Sequence, residues 1–349
     1  MTTYLRPTGF VDAPFHFDGQ VARLAGGLTF FSQVEVLSRD APPRLLSIVE
    51  LGDLADTIEW QRLTAPCPTL DLGGRMLRFD EPQVMGILNV TPDSFSDGGQ
   101  YGDVESAATA AFDMAAAGAA LVDIGGESTR PGAETVWEQD EIERIAPVLD
   151  RLNAGEVAVS VDTRKAAVME AALARGAKVV NDVSGLTHDE RSLAVVAAAD
   201  VPVVIMHAQG DPQSMQDAPS YDDVLLDIYD WLSARVETAV AGGVAREKII
   251  VDPGIGFGKS VRHNLQLLNG LSLFHGLGCP ILLGASRKRF IGALSGEAPV
   301  DERLGGSLAV IAHGLAQGVQ MLRVHDVPES VQAVRIWRGL RDAALSPIS

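Results

Sequence analysis

Polar residues recur in this chain at the ends of short apolar runs, and their types limit the chemistry open to it. In chain order they are Asn89; Asp123, followed by Glu127, Ser128, Thr129 and Arg130; Asp162; Asn181 and Asp182; His207; Asp252; Ser286, Arg287 and Lys288; and Arg323, His325 and Asp326. What is missing narrows the chemistry further. There is no serine nucleophile elbow followed by acid and histidine, no H-E-x-x-H, and no cluster of His and Cys. A reaction here needs neither a protein nucleophile nor a tightly held transition metal. The net charge is −18, so an anionic substrate has to be met by local Arg, Lys or His side chains acting against the field of the whole molecule. The same charge argues against nucleic acid or an acidic membrane surface as a partner.

The segments beside these residues are glycine-rich. Asn89–Gly99 and Gly125–Gly132 are small and polar, as expected of mobile loops over a site. Asp252–Lys259 resembles a phosphate loop but lacks the P-loop spacing.

The elements that hold the polar residues repeat. The apolar runs are Val84–Leu88, Ala120–Ile124, Val157–Val161, Lys178–Val180, Val201–Met206, Ile249–Val251, Ile281–Leu283 and Met321–Val324. Each is followed by a helical pattern, among them Ser106–Ala117, Asp140–Arg151, Tyr221–Ala241 and Pro328–Arg341. Eight β/α units of this size predict an α/β fold of the (β/α)8 TIM-barrel type, whose function sits at the C-terminal strand ends. An open doubly wound sheet is the alternative, but no G-x-G-x-x-G follows the first run. The barrel is expected over 69–341, with Leu70–Phe79 a hairpin at its bottom and 342–349 a tail. Residues 1–68 stand outside the repeat as a small N-terminal extension with a candidate strand at Leu28–Leu37, and the barrel is expected to fold without them. Cys67 and Cys279 form no pair in sequence and read as free thiols of a reducing compartment. The start MTTYLRPTGF has no apolar core of a signal peptide, and no apolar run is long enough to span a bilayer, so a cytoplasmic protein is expected.

Eight stretches together resemble one family, the dihydropteroate synthases. They are MGILNVTPDSFSDGG (85–99), DIGGESTRPGA (123–133), SVDTRK (160–165), VVNDVSG (179–185), MHAQGDPQSMQ (206–216), DPGIGFGK (252–259), GASRKRFIG (284–292) and RVHDV (323–327), in family order. The resemblance implies a transferase of folate biosynthesis. It would condense 6-hydroxymethyl-7,8-dihydropterin diphosphate with para-aminobenzoate, assisted by Mg2+, to give dihydropteroate and pyrophosphate. It further implies pterin contacts from Asp162, Asn181, Met206, Asp252 and Lys288. Asn89, Ser128, Thr129, Arg323 and His325 resemble the diphosphate side, with Asn89 the Mg2+ ligand; Arg130, Pro131, Phe257 and Ser286 resemble the para-aminobenzoate side. Asn89, Lys288, Arg323 and His325 are then the catalytic set. Chemistry agrees: a carboxylate accepts both the amino and ring N–H donors of a pterin edge, and an aromatic amine needs no base to attack. A homodimer through the late helices and sulfonamide sensitivity are likewise implied.

Three features depart from the family pattern: Ala208 where methionine is common, Trp137 where a small polar residue is usual, and residues 1–68. A related barrel that moves a methyl group from a methylated folate to a corrinoid protein needs neither the Lys288 loop nor the Arg323-x-His325 pair. A non-catalytic pterin-binding barrel would have lost some of these residues; all are present.

Overall fold

The computed structural model describes residues 3–15, 17–91, 99–128, 135–155, 157–210 and 219–346, with backbone alone for 99–103. The extension folds as a small antiparallel sheet. Strand β1 (Tyr4–Val11) pairs along its whole length with β3 (Phe30–Leu37), while β2 (Ala22–Arg23) and β4 (Arg44–Ser47) share the other side of β3. Alternation along β3 turns Val34 and Val36 inward, and Phe31 is buried with them, where Leu5, Leu24, Leu51 and Leu63 complete a separate small core. Leu63 comes from α1 (Ile58–Thr64), whose start is capped by Thr57 accepting from Trp60 N.

A two-stranded hairpin follows, β5 (Leu70–Asp71) and β6 (Met76–Leu77). Its turn runs through Gly73 and Gly74 at φ +80° and +96°, backbone that side chains rarely adopt. Leu70, Leu72, Leu77 and Phe79 pack on Met85, Leu121, Val179, Val204, Ile250, Leu282 and Met321, inward residues from the lower part of seven barrel strands. The hairpin closes the N-terminal end of the barrel.

The barrel follows in regular alternation: β7 (Gln83–Asn89), α2 (Gly99–Ala117), β8 (Leu121–Gly125), α3 (Glu138–Asn153), β9 (Val159–Asp162), α4 (Ala166–Ala174), β10 (Val179–Asp182) and α5 (Ser192–Ala199). The second half holds β11 (Val203–Met206), α6 (Val224–Ala241), β12 (Ile249–Asp252), α7 (Val261–Asn269), β13 (Leu282–Leu283), α8 (Arg289–Leu294), α9 (Leu304–Ala316), β14 (Met321–Val324) and α10 (Val327–Leu345). The eight strands run parallel in the order β12-β11-β10-β9-β8-β7-β14-β13. A parallel bridge from Val251 to Ile281, with Val251 N donating to Pro280 O at 2.9 Å, joins the two ends of this sheet into a ring.

Side chains alternate across a strand with period two. That one rule separates the plug from the site. Inward Leu121, Val179, Ile250 and Met321 pack at the bottom, and two residues later Asp123, Asn181, Asp252 and Arg323 face the mouth. The outward set, such as Val122, Val180, Val251 and Leu322, packs under the helices.

Some expected boundaries shift. Helix α2 starts at Gly99 rather than Ser106, because Gly99 and Gly102 hide a helical start in sequence. Helix α6 starts at Val224 rather than Tyr221, since Asp223 accepts from Leu225 N and Leu226 N and caps it there. Helix α8 and a 3-10 helix at Leu271–Leu277 were not expected. Both are too short for a periodic signal. Among the described residues no helix is long and apolar enough to cross a membrane.

The N-terminal sheet is fastened to the barrel. The Tyr4 hydroxyl donates to Asp230 on α6 at 2.9 Å, and its ring meets Tyr229 edge-on at 5.4 Å. Arg39 pairs with Asp227 and Asp230 at 2.8 and 2.7 Å. Ser272 Oγ donates to Pro7 O at 2.8 Å, and Arg341 on α10 donates to Asp12 and Leu28 O. These contacts change the expectation for a shortened chain. A chain starting at Pro66 should melt several degrees below the full protein, since each large side chain uncovered forfeits about 1.5–3 kcal/mol. Equal melting temperatures in calorimetry would show that the barrel does not lean on the sheet.

Candidate active site

The floor of the mouth is an ionic lattice drawn from four strands. Arg323, leaving β14, donates from Nε to Asp123 Oδ2 on β8 at 2.6 Å and from Nη2 to Asp162 Oδ2 on β9 at 2.6 Å. Asn181, on β10, donates from Nδ2 to the same Asp123 Oδ2 at 2.9 Å. The second oxygens of both carboxylates, Asp123 Oδ1 and Asp162 Oδ1, are buried and have no hydrogen-bond partner among the described residues. A buried acceptor without a donor is costly, and both oxygens are free to accept N–H groups from a bound molecule. Burial pushes the Asp162 carboxyl up to about 7, against the pull of Arg323. Burial also opposes the charge of Arg323, but its two carboxylate partners outweigh that and raise its pKa, so it stays charged.

Asp252, ending β12, completes the floor. Its Oδ1 accepts from Gly254 N at 2.7 Å, and burial raises its carboxyl above the usual range. Gly254 sits at φ +68°, and a Cβ there would come within 1.9 Å of His207 O, so the turn that orients Asp252 needs glycine. Lys259 ties the same two loops together. Buried, its Nζ donates to Phe257 O at 2.9 Å and to His207 O at 3.3 Å, and lies 3.0 Å from His207 Nδ1. Burial, reinforced by Lys259, pushes the His207 imidazole down to about 2, so the ring is neutral and can accept at Nδ1.

Above this floor opens a cavity of about 680 Å³ lined by Asn89, Ser128, Asp162, Phe257, Ser286, Lys288, Arg323 and His325, among others. Lys288 Nζ lies 3.8 Å from the centre of the Phe257 ring, a cation over an aromatic face. Ser286 Oγ accepts from His325 N at 3.2 Å and lies 3.1 Å from His325 Nδ1, so the residues leaving β13 and β14 fix one another. Arg287 pairs with Asp326, outside the floor.

These eight, all expected at the site from the sequence, thus line one cavity, and Asn181 and Asp252 lie in its floor. Met206 is buried at the end of β11, in register with Asp252. Thr129, Arg130 and Pro131 lie outside the described residues, as do most of the two loops expected to be mobile. Trp137 is 78% exposed, just before α3. Two participants were given no role from sequence. Asp123 stood in the polar series, but only the cross-barrel geometry shows it holding Arg323 with an open acceptor. Lys259 looked like part of a glycine-rich turn, and its burial against His207 has no local signal.

Among the described residues no three His, Cys, Asp or Glu side chains gather as a metal site. Asn89 offers one amide oxygen at the cavity, 3.8 Å from where a Gly125 Cβ would stand. One neutral oxygen suits a hard cation that keeps most of its water or arrives with a phosphate ligand.

A family model described as "Pterin binding enzyme" matches residues 85–325. The chain is 44% identical over 264 residues to dihydropteroate synthase of Escherichia coli (strain K12), covering 75% of this chain and 93% of that protein. Its fold matches dihydropteroate synthase of Xanthomonas albilineans with 4-aminobenzoic acid at a TM-score of 0.74 and 46% identity, covering 79% of this chain and 98% of that one. The Xanthomonas albilineans protein in complex with 7,8-dihydropteroate matches at a TM-score of 0.72 and 42% identity, over 78% of this chain and 99% of that one.

Proposed function

The chain belongs to the pterin-binding enzymes as a dihydropteroate synthase, and on that premise we propose that its mouth joins 6-hydroxymethyl-7,8-dihydropterin diphosphate to para-aminobenzoate. The observation that carries this assignment is the pair of buried oxygens on Asp123 and Asp162 that have no donor among the described residues, with Asn181 and Asp252 in the same floor. A pterin edge brings adjacent amino and ring N–H donors, which such acceptors complement. In this reading Asp252, Asp162, Asn181 and Met206 hold the pterin, with Lys288 donating to its ring-carbonyl side and Phe257 as a wall. Asn89, Ser128, Thr129, Arg323 and His325 take the diphosphate. Arg130, Pro131, Phe257 and Ser286 take para-aminobenzoate.

The amine lone pair attacks the exocyclic methylene carbon of the pterin. A C–N bond forms, the C–O bond to the diphosphate breaks, and pyrophosphate leaves with that electron pair. The new ammonium is acidic and passes its proton to water, so no protein base is needed. The work left to the protein is to orient two flat substrates and to stabilise the departing charge. Arg323 supplies positive charge there, and His325 a ring nitrogen. Asn89 would hold Mg2+ together with diphosphate oxygens and water; when bound, the ion neutralises part of the leaving group's charge. The same reading makes the protein a cytoplasmic homodimer pairing through its late helices.

The test is a coupled pyrophosphate assay on the full chain. Release is expected only with pterin diphosphate, para-aminobenzoate and Mg2+ all present, and sulfonamides should compete with para-aminobenzoate. Equal release without the amine would mean simple hydrolysis and reject the assignment.

A further inference from the structure

Four charged side chains are buried beside the mouth but do not reach the cavity: Glu127 after β8, Glu141 in α3, and Arg164 and Lys165 after β9. Lys165 Nζ lies 2.5 Å from Glu141 Oε2 and 3.2 Å from Glu127 Oε1, and Arg164 Nε donates to Glu127 Oε2 at 3.3 Å. Two acids and two bases cancel. The group is nonetheless an expensive way to fill a core, because well-packed apolar residues often do as well as a buried ion pair. Burial even holds the Glu141 carboxyl above its usual range, against the pull of Lys165.

The network grips the backbone of one residue in particular. Val136 N donates to Glu127 Oε1 at 2.9 Å, and Val136 O accepts from Lys165 Nζ at 2.7 Å. Glu127 stands where the chain leaves β8, and Val136 where it returns to enter α3. Both backbone polar groups of Val136 are therefore held by side chains, one from the departing end and one from just after the strand next door. Two more bonds brace the ends: Arg144 donates to Gly126 O at 2.9 Å, and Glu141 N to Trp137 O at 3.0 Å. Gly126 itself has no room for a side chain, since a Cβ would stand 2.9 Å from Ile145 and 3.0 Å from Glu141 Cγ.

In sequence, between the pinned ends come Ser128, which lines the cavity, and then Thr129, Arg130 and Pro131, assigned above to diphosphate and para-aminobenzoate. Arg164 and Lys165 closely follow Asp162, which is in the pterin floor. The network thus links the strand that holds the pterin to the base of the connection that receives the second substrate. We propose that Glu127 and Lys165 are positioning residues, which set the aminobenzoate side of the site against the pterin floor by clamping the backbone of Val136. This rests on the assignment of the reaction above.

The experiment compares Glu127→Gln and Lys165→Arg with the parent, using pyrophosphate release for the kinetics and calorimetry for pterin binding alone. Glu127→Gln keeps the shape but loses the charge that orders Lys165. It should raise KM for para-aminobenzoate at least tenfold, change kcat less than threefold, and leave pterin affinity within twofold. Lys165→Arg keeps the charge but misplaces the donor to Val136 O, and should raise the same KM at least threefold. A purely structural role would instead scale kcat with the folded fraction and leave KM alone. An unchanged KM in either folded variant overturns the proposal. An inactive parent chain would condemn the reaction assignment instead, so the two failures are distinguishable.

Discussion

Arg323→Ala is expected to lower both stability and turnover, and a second substitution should separate the two effects. The guanidinium bridges Asp123 and Asp162, both buried, at 2.6 Å each. Removing it leaves two carboxylates facing each other with no counter-charge. Breaking a buried pair in this way costs about 3–5 kcal/mol, readable as a lower denaturation midpoint. Losing a preorganised donor at the leaving group should also lower kcat by about 10²–10³-fold. Adding Asp162→Asn to Arg323→Ala removes one of the stranded charges and should recover part of the stability, while activity stays low. Wild-type stability in the single variant would mean that Arg323 is not the counterion of the floor. Recovered activity in the double variant would remove it from the diphosphate side.

Asp252→Asn should cost about 3 kcal/mol of pterin affinity or more, about a hundredfold in Kd, as charge-assisted bonds to two donors are lost. The geometry explains why a near-isosteric change is so damaging. Oδ1 of Asp252 accepts from Gly254 N, so an asparagine turns its oxygen that way and presents its NH2 to the pterin. Two donors then face each other. The pH dependence supplies a second check. Burial raises the Asp252 carboxyl above its usual range, and in the proposed pose a pterin edge presenting two donors requires the ionised form. Protonation must therefore be undone on binding at low pH, so parent affinity should rise as pH increases through this titration. The Asp252→Asn variant should lack that component. Calorimetry showing equal affinity and the same pH profile would reject Asp252 as the pterin carboxylate.

Much of the frame was open to reading because it obeys short-range rules. A strand alternates its faces every residue, so Leu121-x-Asp123, Val179-x-Asn181, Ile250-x-Asp252 and Met321-x-Arg323 each announce an apolar bottom and a polar mouth within three positions. Helical periodicity between the runs then leaves a parallel barrel as the fold that covers every strand. The resemblance of motifs such as MGILNVTPDSFSDGG and GASRKRFIG pointed to the family, because such stretches are long and specific enough to be recognised without the fold.

What only the folded chain decides depends on closure. Arg323 lies 200 residues from Asp123 and 161 from Asp162, and nothing local in sequence says that it neutralises both. From sequence it reads as a diphosphate ligand; in the structure it is also what allows two carboxylates to sit in a buried floor. The Glu127–Lys165 clamp likewise depends on β8 and β9 being neighbours. Lys259 needed the close approach of the Gly254 turn to His207 before it could be buried there. The N-terminal residues gave weak signals because β2 is two residues long and β4 four, and because a sheet this small gains much of its support from Asp227, Asp230 and Ser272 of the barrel beneath it. Side-chain period is written along the chain, but charge balance in a buried site is set by which strand ends the barrel brings face to face.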